Sequence, residues 1–221
     1  MEPLAQLEAA RLYLVTDALD RGPALTRLLD MALIGGVGII QLRDRSLEDD
    51  ELLEAAELFR AAADRHGALF LINDRPDLVG PAEADGVHVG QEDLSIAQAR
   101  ALAGPGKVVG LSSHSPAQLD AAEATTGSLR PDYISAGPVW ETPTKPGRPG
   151  TGLDYVSYAA EHAALPWFAI GGVDASNVAS VIAAGAQRIV VVRAIRDAED
   201  PERAATALAT ELDHAAAGVG R

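Results

Sequence analysis

The chain has 221 residues, 48% of them hydrophobic, which excludes a disordered polypeptide and is enough for one large domain with a substantial core. With 32 acidic against 18 basic side chains the formal net charge is −14, which argues against nucleic acid or an anionic membrane as the main partner. The absence of cysteine excludes disulfides, thiolate metal sites and cysteine nucleophiles.

Residues 1 to 10 carry Glu2 and Glu8 and no basic segment before an apolar core, so no signal peptide is expected, and no run of about 18 uncharged apolar residues suggests a membrane span. A cytoplasmic protein is the default expectation. Short β-branched runs then alternate with Ala/Leu/Glu-rich segments along the whole chain, the pattern of βα units around a parallel sheet. A first strand is expected over Arg11 to Thr16 and a helix from Pro23 to Ile34, stopped by Gly35-Gly36. Val37 to Leu42 reads as the second strand, leading through Gln41-Leu42-Arg43-Asp44-Arg45 to Ser46, where Ser46 and Asp49 suit a capping box opening a helix to His66.

Ala68 to Ile72 reads as a third strand, followed by Asn73-Asp74-Arg75 and by Pro76, which forbids strand continuation. Gly86 to Val89 is a fourth, ending in Gly90-Gln91-Glu92-Asp93 before a helix capped by Ser95. Lys107 to Leu111 is a fifth, ending in Ser112-Ser113-His114 before Ser115-Pro116, a cap with proline in the first helical position. The sixth, Asp132 to Ala136, runs into a glycine- and proline-rich stretch, Gly137 to Gly152, that continues neither helix nor strand. There Thr142, Thr144 and Lys145 place two hydroxyls and an ammonium within four residues, a donor set suited to phosphate oxygens, and the segment is expected to close as an active-site lid. A helix at 154 to 163, a strand from Trp167 to Ile170 with Gly171-Gly172 after it, a helix at 175 to 184 capped by Asp174, a strand from Arg188 to Val192 before Arg193-Ala194, and a last helix from Pro201 to His214 complete eight βα units. The expected fold is a single-domain (β/α)8 barrel spanning residues 1–221, without a linker.

Gln41/Arg43/Arg45, Asn73/Asp74, Asp93, Ser112/His114, Thr142/Thr144/Lys145, Gly171/Gly172 and Arg193 all follow strands, at the end where such barrels build active sites. The bland alternatives are local. Asp74 could cap a helix or pair with Arg75, Asp93 could cap the helix after Leu94, and Arg43 and Arg45 could pair with Asp44 or Glu48. Ser112 has no convincing His/Asp partner in the sequence, His114 reads as a loop residue, and His88, between Val87 and Val89, reads as a satisfied barrel histidine.

Seven runs in one order carry a resemblance: Leu12-Tyr13-Leu14-Val15-Thr16-Asp17, Gln41-Leu42-Arg43-Asp44-Arg45, Ile72-Asn73-Asp74, Asp85-Gly86-Val87-His88-Val89-Gly90-Gln91-Glu92-Asp93, Gly110-Leu111-Ser112, Thr142-Pro143-Thr144-Lys145 and Ala169-Ile170-Gly171-Gly172-Val173. Together they resemble the thiamine phosphate synthase family. The resemblance implies transfer of the pyrimidine-methyl group of 4-amino-5-hydroxymethyl-2-methylpyrimidine diphosphate to the nitrogen of a thiazole phosphate, with diphosphate leaving before the thiazole attacks. It implies Mg²⁺ on Asp74 and Asp93, diphosphate on Arg43, Arg45, Asn73 and Lys145, the pyrimidine near Gln41 and Ser112, and the thiazole phosphate on Thr142, Thr144, Gly171 and Gly172. Ser112, Lys145 and Arg43 are the residues expected to act on the reacting groups. Two positions depart from the family pattern: Arg45 stands where Lys is common, and Arg193, before Ala194, where Ser is common. Arg193 is expected to contact a substrate phosphate. The rival expectations are a thiazole tautomerase, which needs neither metal nor diphosphate, and a non-catalytic sensor of a phosphorylated ligand. A homo-oligomer is left open.

Overall fold

The computed structural model describes residues 2–142 and 149–219 and closes eight parallel strands into a barrel in sequence order. The elements are α1 (Pro3–Ala9), β1 (Leu12–Thr16), α2 (Pro23–Ile34), β2 (Ile39–Leu42), α3 (Asp49–His66), β3 (Leu69–Asn73), β4 (Gly86–Val89), α4 (Ile96–Ala103), β5 (Val108–Ser113), α5 (Pro116–Glu123), β6 (Tyr133–Ala136), α6 (Gly152–His162), β7 (Trp167–Ile170), α7 (Val178–Ala183), β8 (Ile189–Val191), α8 (Arg193–Arg196) and α9 (Pro201–Val219), with short 3₁₀ turns at Pro76–Leu78 and Gly127–Leu129. No helix among the described residues is long and apolar enough to cross a membrane.

Strand alternation divides the core into two layers. Residues such as Leu14, Ile40, Phe70, Val87 and Val109 face the helices, whereas Tyr13, Val15, Ile39, Leu69, Leu71, Val108, Tyr133, Phe168 and Val190 fill the barrel. Leu7 of α1, only 1% exposed, joins that inner layer and plugs the barrel floor. The three interior aromatics pack edge to face, with Tyr13 and Tyr133 both 5.6 Å from Phe168. Space for them comes from glycine: a Cβ on Gly110 would lie 2.1 Å from the Tyr133 ring.

Several boundaries differ from expectation. The α3 cap is Glu48, whose N–H donates to Glu51 at 3.3 Å, and not Ser46, which instead bonds Asp44 Oδ1 through both its N–H and its hydroxyl. Asp44 holds the β2–α3 turn, accepting also from the N–H of Ala18, so Ser46 is already used. The helix expected from residue 175 starts at Val178 after Asn177, because Asp174 folds a turn with Ser176 first. Strand β5 runs on to Ser113, so Ser112 lies within it. Two helices were not anticipated: α1, whose stability derives from burying Leu7, and α8, a single turn directly after β8.

Candidate active site

The inward positions change character along the strands. Near the floor they carry Leu, Ile, Val and aromatics; toward the carboxyl ends they become Gln41 on β2, Asn73 on β3, His88 on β4, Ser112 on β5 and Ser135 on β6. A side-chain period of two puts polar groups at the top of several strands into one space. That space is a cavity of about 390 Å³, lined also by Arg43, Thr142, Gly171, Gly172, Arg193 and Ala194. Residues far apart in sequence thus converge at the carboxyl-end mouth.

The glycine pair forms the far wall. Gly171 and Gly172 have φ of 105° and 70°, conformations that favour glycine. Gly171 has a second reason to lack a side chain: a Cβ there would stand 2.4 Å from Pro138. The loop stem crosses at that point, tied by the N–H groups of Val139 and Trp140 to the carbonyls of Ile170 and Gly171, and by those of Thr151 and Gly152 to Pro138 and Val139. His114 anchors the same stem, its Nδ1 2.5 Å from the Gly137 carbonyl. Of the loop residues expected to bind phosphate, Thr142 lines the cavity, while Thr144 and Lys145 lie outside the described residues.

Arg43, partly buried on the cavity wall, has no side-chain hydrogen bond among the described residues. Burial, reinforced by the like charge of Arg45, lowers its pKa from the ordinary arginine value, while Asp74 and Asp93 oppose that. An anion in the cavity would supply the counter-charge. Arg45 does not line the cavity: it is 66% exposed and reaches Asp74 at 2.5 Å. Its guanidinium stays largely in solvent while Asp74 is 21% exposed, so Arg45 can turn to another anion without itself being taken out of water.

Asp74 and Asp93 come together, on neighbouring strand ends, outside the cavity lining and beside Arg43 and Arg45. The local alternatives for them do not hold: Arg75 pairs with Asp49 and Asp77 rather than Asp74, and α4 is capped by Ser95 rather than Asp93. Asp93 Oδ2 accepts from the N–H of Gly90 at 2.7 Å, and Asp74 has a positive φ of 61°. Burial raises the Asp74 carboxyl above its ordinary pKa; Arg45 opposes the shift and Asp93 adds to it. A pair of carboxylates held against their own repulsion is what a hard divalent cation relieves, and the donor set fits Mg²⁺ completed by substrate oxygens and water. Among the described residues no third acidic or histidine side chain joins them.

Ser112 has a histidine partner after all: its Oγ lies 2.9 Å from His88 Nε2. The other ring nitrogen of His88 meets the Tyr133 hydroxyl at 2.9 Å, not a carboxylate, so no hydrolytic triad results. The sequence alone assigned no role to Ser135, Tyr133 or Tyr13, the last standing only within one of the matching runs; the signal was in strand period, since Tyr133 and Ser135, two residues apart, stand opposite Gly110 and Ser112 on the neighbouring strand.

A family described as thiamine monophosphate synthase matches residues 12–195. The thiamine-phosphate synthase of Arthrobacter sp. (strain FB24) is 50% identical over 234 residues, covering 96% of this chain and 98% of its own. That of Thermobifida fusca (strain YX) is 51% identical over 214 residues, 96% of each. Among solved structures, the thiamine phosphate pyrophosphorylase of Pyrococcus furiosus superposes with a TM-score of 0.83 at 29% identity, covering 95% of this chain and 98% of that one. A 3-hexulose-6-phosphate synthase, at 23% identity and a TM-score of 0.65, shares the fold alone.

Proposed function

The chain belongs to the thiamine monophosphate synthase family and is a transferase that forms thiamine phosphate; from that premise we propose how its own residues carry the reaction. The substrates are the aminopyrimidine-methyl diphosphate and a thiazole phosphate. The C–O bond to diphosphate breaks, its electron pair leaving with the diphosphate, and the thiazole nitrogen lone pair then forms the new C–N bond. The observation that carries the assignment is the convergence of Gln41, Arg43, Asn73 and Ser112 on one cavity whose opposite wall is Gly171-Gly172.

Arg43 binds the diphosphate, its partly buried charge, without a side-chain hydrogen bond among the described residues, gaining a partner when the anion enters. Arg45, released from Asp74, and Lys145 add positive charge, and Asn73 fixes orientation. Asp74 and Asp93 would hold Mg²⁺, which when bound supplies charge neutralisation to the departing diphosphate. The thiazole phosphate lies against Thr142, Thr144 and the N–H groups of Gly171, Gly172 and Ala194. Gln41 and Ser112 hold the pyrimidine on the cavity floor. Placing nucleophile and electrophile in contact inside a walled cavity removes the entropic part of the barrier and excludes competing water.

Diphosphate release with both substrates and Mg²⁺ tests the assignment. Release that needs both substrates and stops on addition of a chelator is expected; isomerisation of a thiazole without diphosphate release would replace the synthase reading with a tautomerase. Arg193 is exposed at the cavity rim and has no ion pair among the described residues. Arg193→Ala is expected to raise the thiazole-phosphate KM about tenfold, the scale of one charge-assisted hydrogen bond, with the pyrimidine KM unchanged. An unaltered thiazole-phosphate KM removes Arg193 from the site.

A further inference from the structure

Below the cavity, four hydrogen bonds join five buried side chains. Gln41 Nε2 lies 2.5 Å from the Tyr13 hydroxyl, Tyr13 and Tyr133 meet through their hydroxyls at 3.1 Å, Tyr133 reaches His88 Nδ1 at 2.9 Å, and His88 Nε2 reaches Ser112 Oγ at 2.9 Å. Gln41 is 2% exposed, Tyr13 1%, Tyr133 0%, His88 8% and Ser112 3%. Gln41 and Ser112, the two ends of this chain, line the cavity, and so does His88, while Tyr13 and Tyr133 lie beneath the lining.

Each phenol has one hydrogen, and a buried hydroxyl must place it on an acceptor. The Gln41 amide donates to Tyr13, so Tyr13 passes its own hydrogen to Tyr133. Tyr133 passes its hydrogen to His88 Nδ1. A neutral imidazole accepting at Nδ1 carries its hydrogen on Nε2, which faces Ser112, with Ser135 Oγ farther off at 3.4 Å. Ser112 therefore accepts from His88, and at 3.5 Å from the Ser135 hydroxyl, which leaves its own hydroxyl hydrogen to turn to the cavity. At the other end, Gln41 has committed its NH₂ to Tyr13 and turns Oε1 to the cavity. Burial holds both tyrosines above the ordinary phenol pKa, so neither ionises and both remain donors.

The geometry points to a one-way hydrogen-bond relay, Gln41 to Tyr13 to Tyr133 to His88 to Ser112, that fixes Gln41 as an acceptor and Ser112 as a donor toward the pyrimidine ring. This rests on the synthase reading. An aminopyrimidine presents an exocyclic N–H donor beside a ring-nitrogen acceptor, the complement of that acceptor–donor pair. Tyr13 and Tyr133, beneath the lining, are thereby positioning residues, and His88, on the lining, acts in the relay through the ring nitrogen it turns to Ser112; together they decide which hydrogen-bonding edge the floor offers. The opposite setting of the Gln41 amide would reverse every bond, put the hydrogen on His88 Nδ1 and present the wrong edge.

The first test is ¹⁵N NMR of the histidine ring in the full wild-type chain without ligand. Hydrogen on Nε2 of His88 is expected; hydrogen on Nδ1 overturns the relay. The second is steady-state kinetics of Tyr133→Phe, which keeps the ring and removes the link. The pyrimidine diphosphate KM is expected to rise about five- to fiftyfold, the value of one or two buried hydrogen bonds, with the thiazole-phosphate KM unchanged. A merely structural role would lower the Tm and move both KM values together, and that result rejects the proposal. Tyr13→Phe cuts the relay one bond away and must reproduce the same split; it replaces Tyr133→Phe if that protein fails to fold. His88→Gln, retaining a donor for Ser112, is expected to keep more pyrimidine affinity than His88→Ala. If the wild type releases no diphosphate from both substrates, the synthase reading fails, whereas the tautomer of His88 still decides whether the relay exists.

Discussion

Replacing Asp93 by alanine is expected to lower turnover by on the order of a thousandfold, the scale of removing one group that stabilises charge on a leaving anion. The side chain has two attachments: it accepts from the N–H of Gly90, and it stands against Asp74. Losing the first would loosen the β4–α4 loop; losing the second would remove a carboxylate from the candidate cation site. Asp93→Asn separates them, since its carbonyl oxygen can still accept from Gly90 while the negative charge is gone. Turnover in Asp93→Asn should therefore fall nearly as far as in Asp93→Ala, and the Mg²⁺ concentration giving half-maximal rate should rise in both. Initial rates of diphosphate release measured against Mg²⁺ decide the matter. Restoration by Asn to within tenfold of wild type would assign Asp93 to loop structure and end its role as a ligand.

The largest effect on stability is expected from Gly86→Ala. Gly86 sits on β4 opposite Val108 of β5, and an added Cβ would lie 2.1 Å from the Val108 carbonyl oxygen and 2.8 Å from its carbon. Both are backbone atoms in a closed sheet, so relief requires two paired strands to part, and the contact cannot be resolved by a rotamer change. Overpacking against backbone falls at the upper end of its usual range, about 3 kcal/mol, and for a domain of this length that lowers Tm by about 6–12 °C. Gly80→Ala is the control: nothing lies within 4 Å of its added Cβ, and its φ is not among the positive values. Thermal unfolding followed by circular dichroism should separate the two variants. Equal Tm values would mean that the barrel wall yields at β4–β5, against the close packing described above.

The barrel was legible in the sequence because its two periods differ: apolar runs of four or five residues alternate with longer amphipathic stretches, and Gly or Pro punctuates the joins. α2, β4 and β7 begin and end where local signals put them, and α4 begins directly after its Ser95 cap. The polar residues at strand ends were legible for a related reason, since a central strand tolerates few polar side chains unless they face a cavity. Local signals failed where two neighbours competed for one role. Ser46 and Asp49 make a plausible cap on paper, but Asp44 takes Ser46 first, and Glu48 takes over the helix start.

The chain by itself determined the order of elements, the parallel topology and the set of groups available for anion and metal binding, since these depend on residue type and on spacing along one strand or helix. Only the closed barrel decided which of those groups meet. It turned Arg45 toward Asp74 and left Arg43 on the cavity wall; it gave Ser112 a histidine from β4 and joined that histidine through two tyrosines to Gln41. Such pairings join residues 24 to 120 positions apart along the chain, as Ser112 does with His88 and Tyr13 with Tyr133. No local propensity encodes them; they follow from strand register and from the need of every buried hydroxyl, amide and imidazole to find a partner.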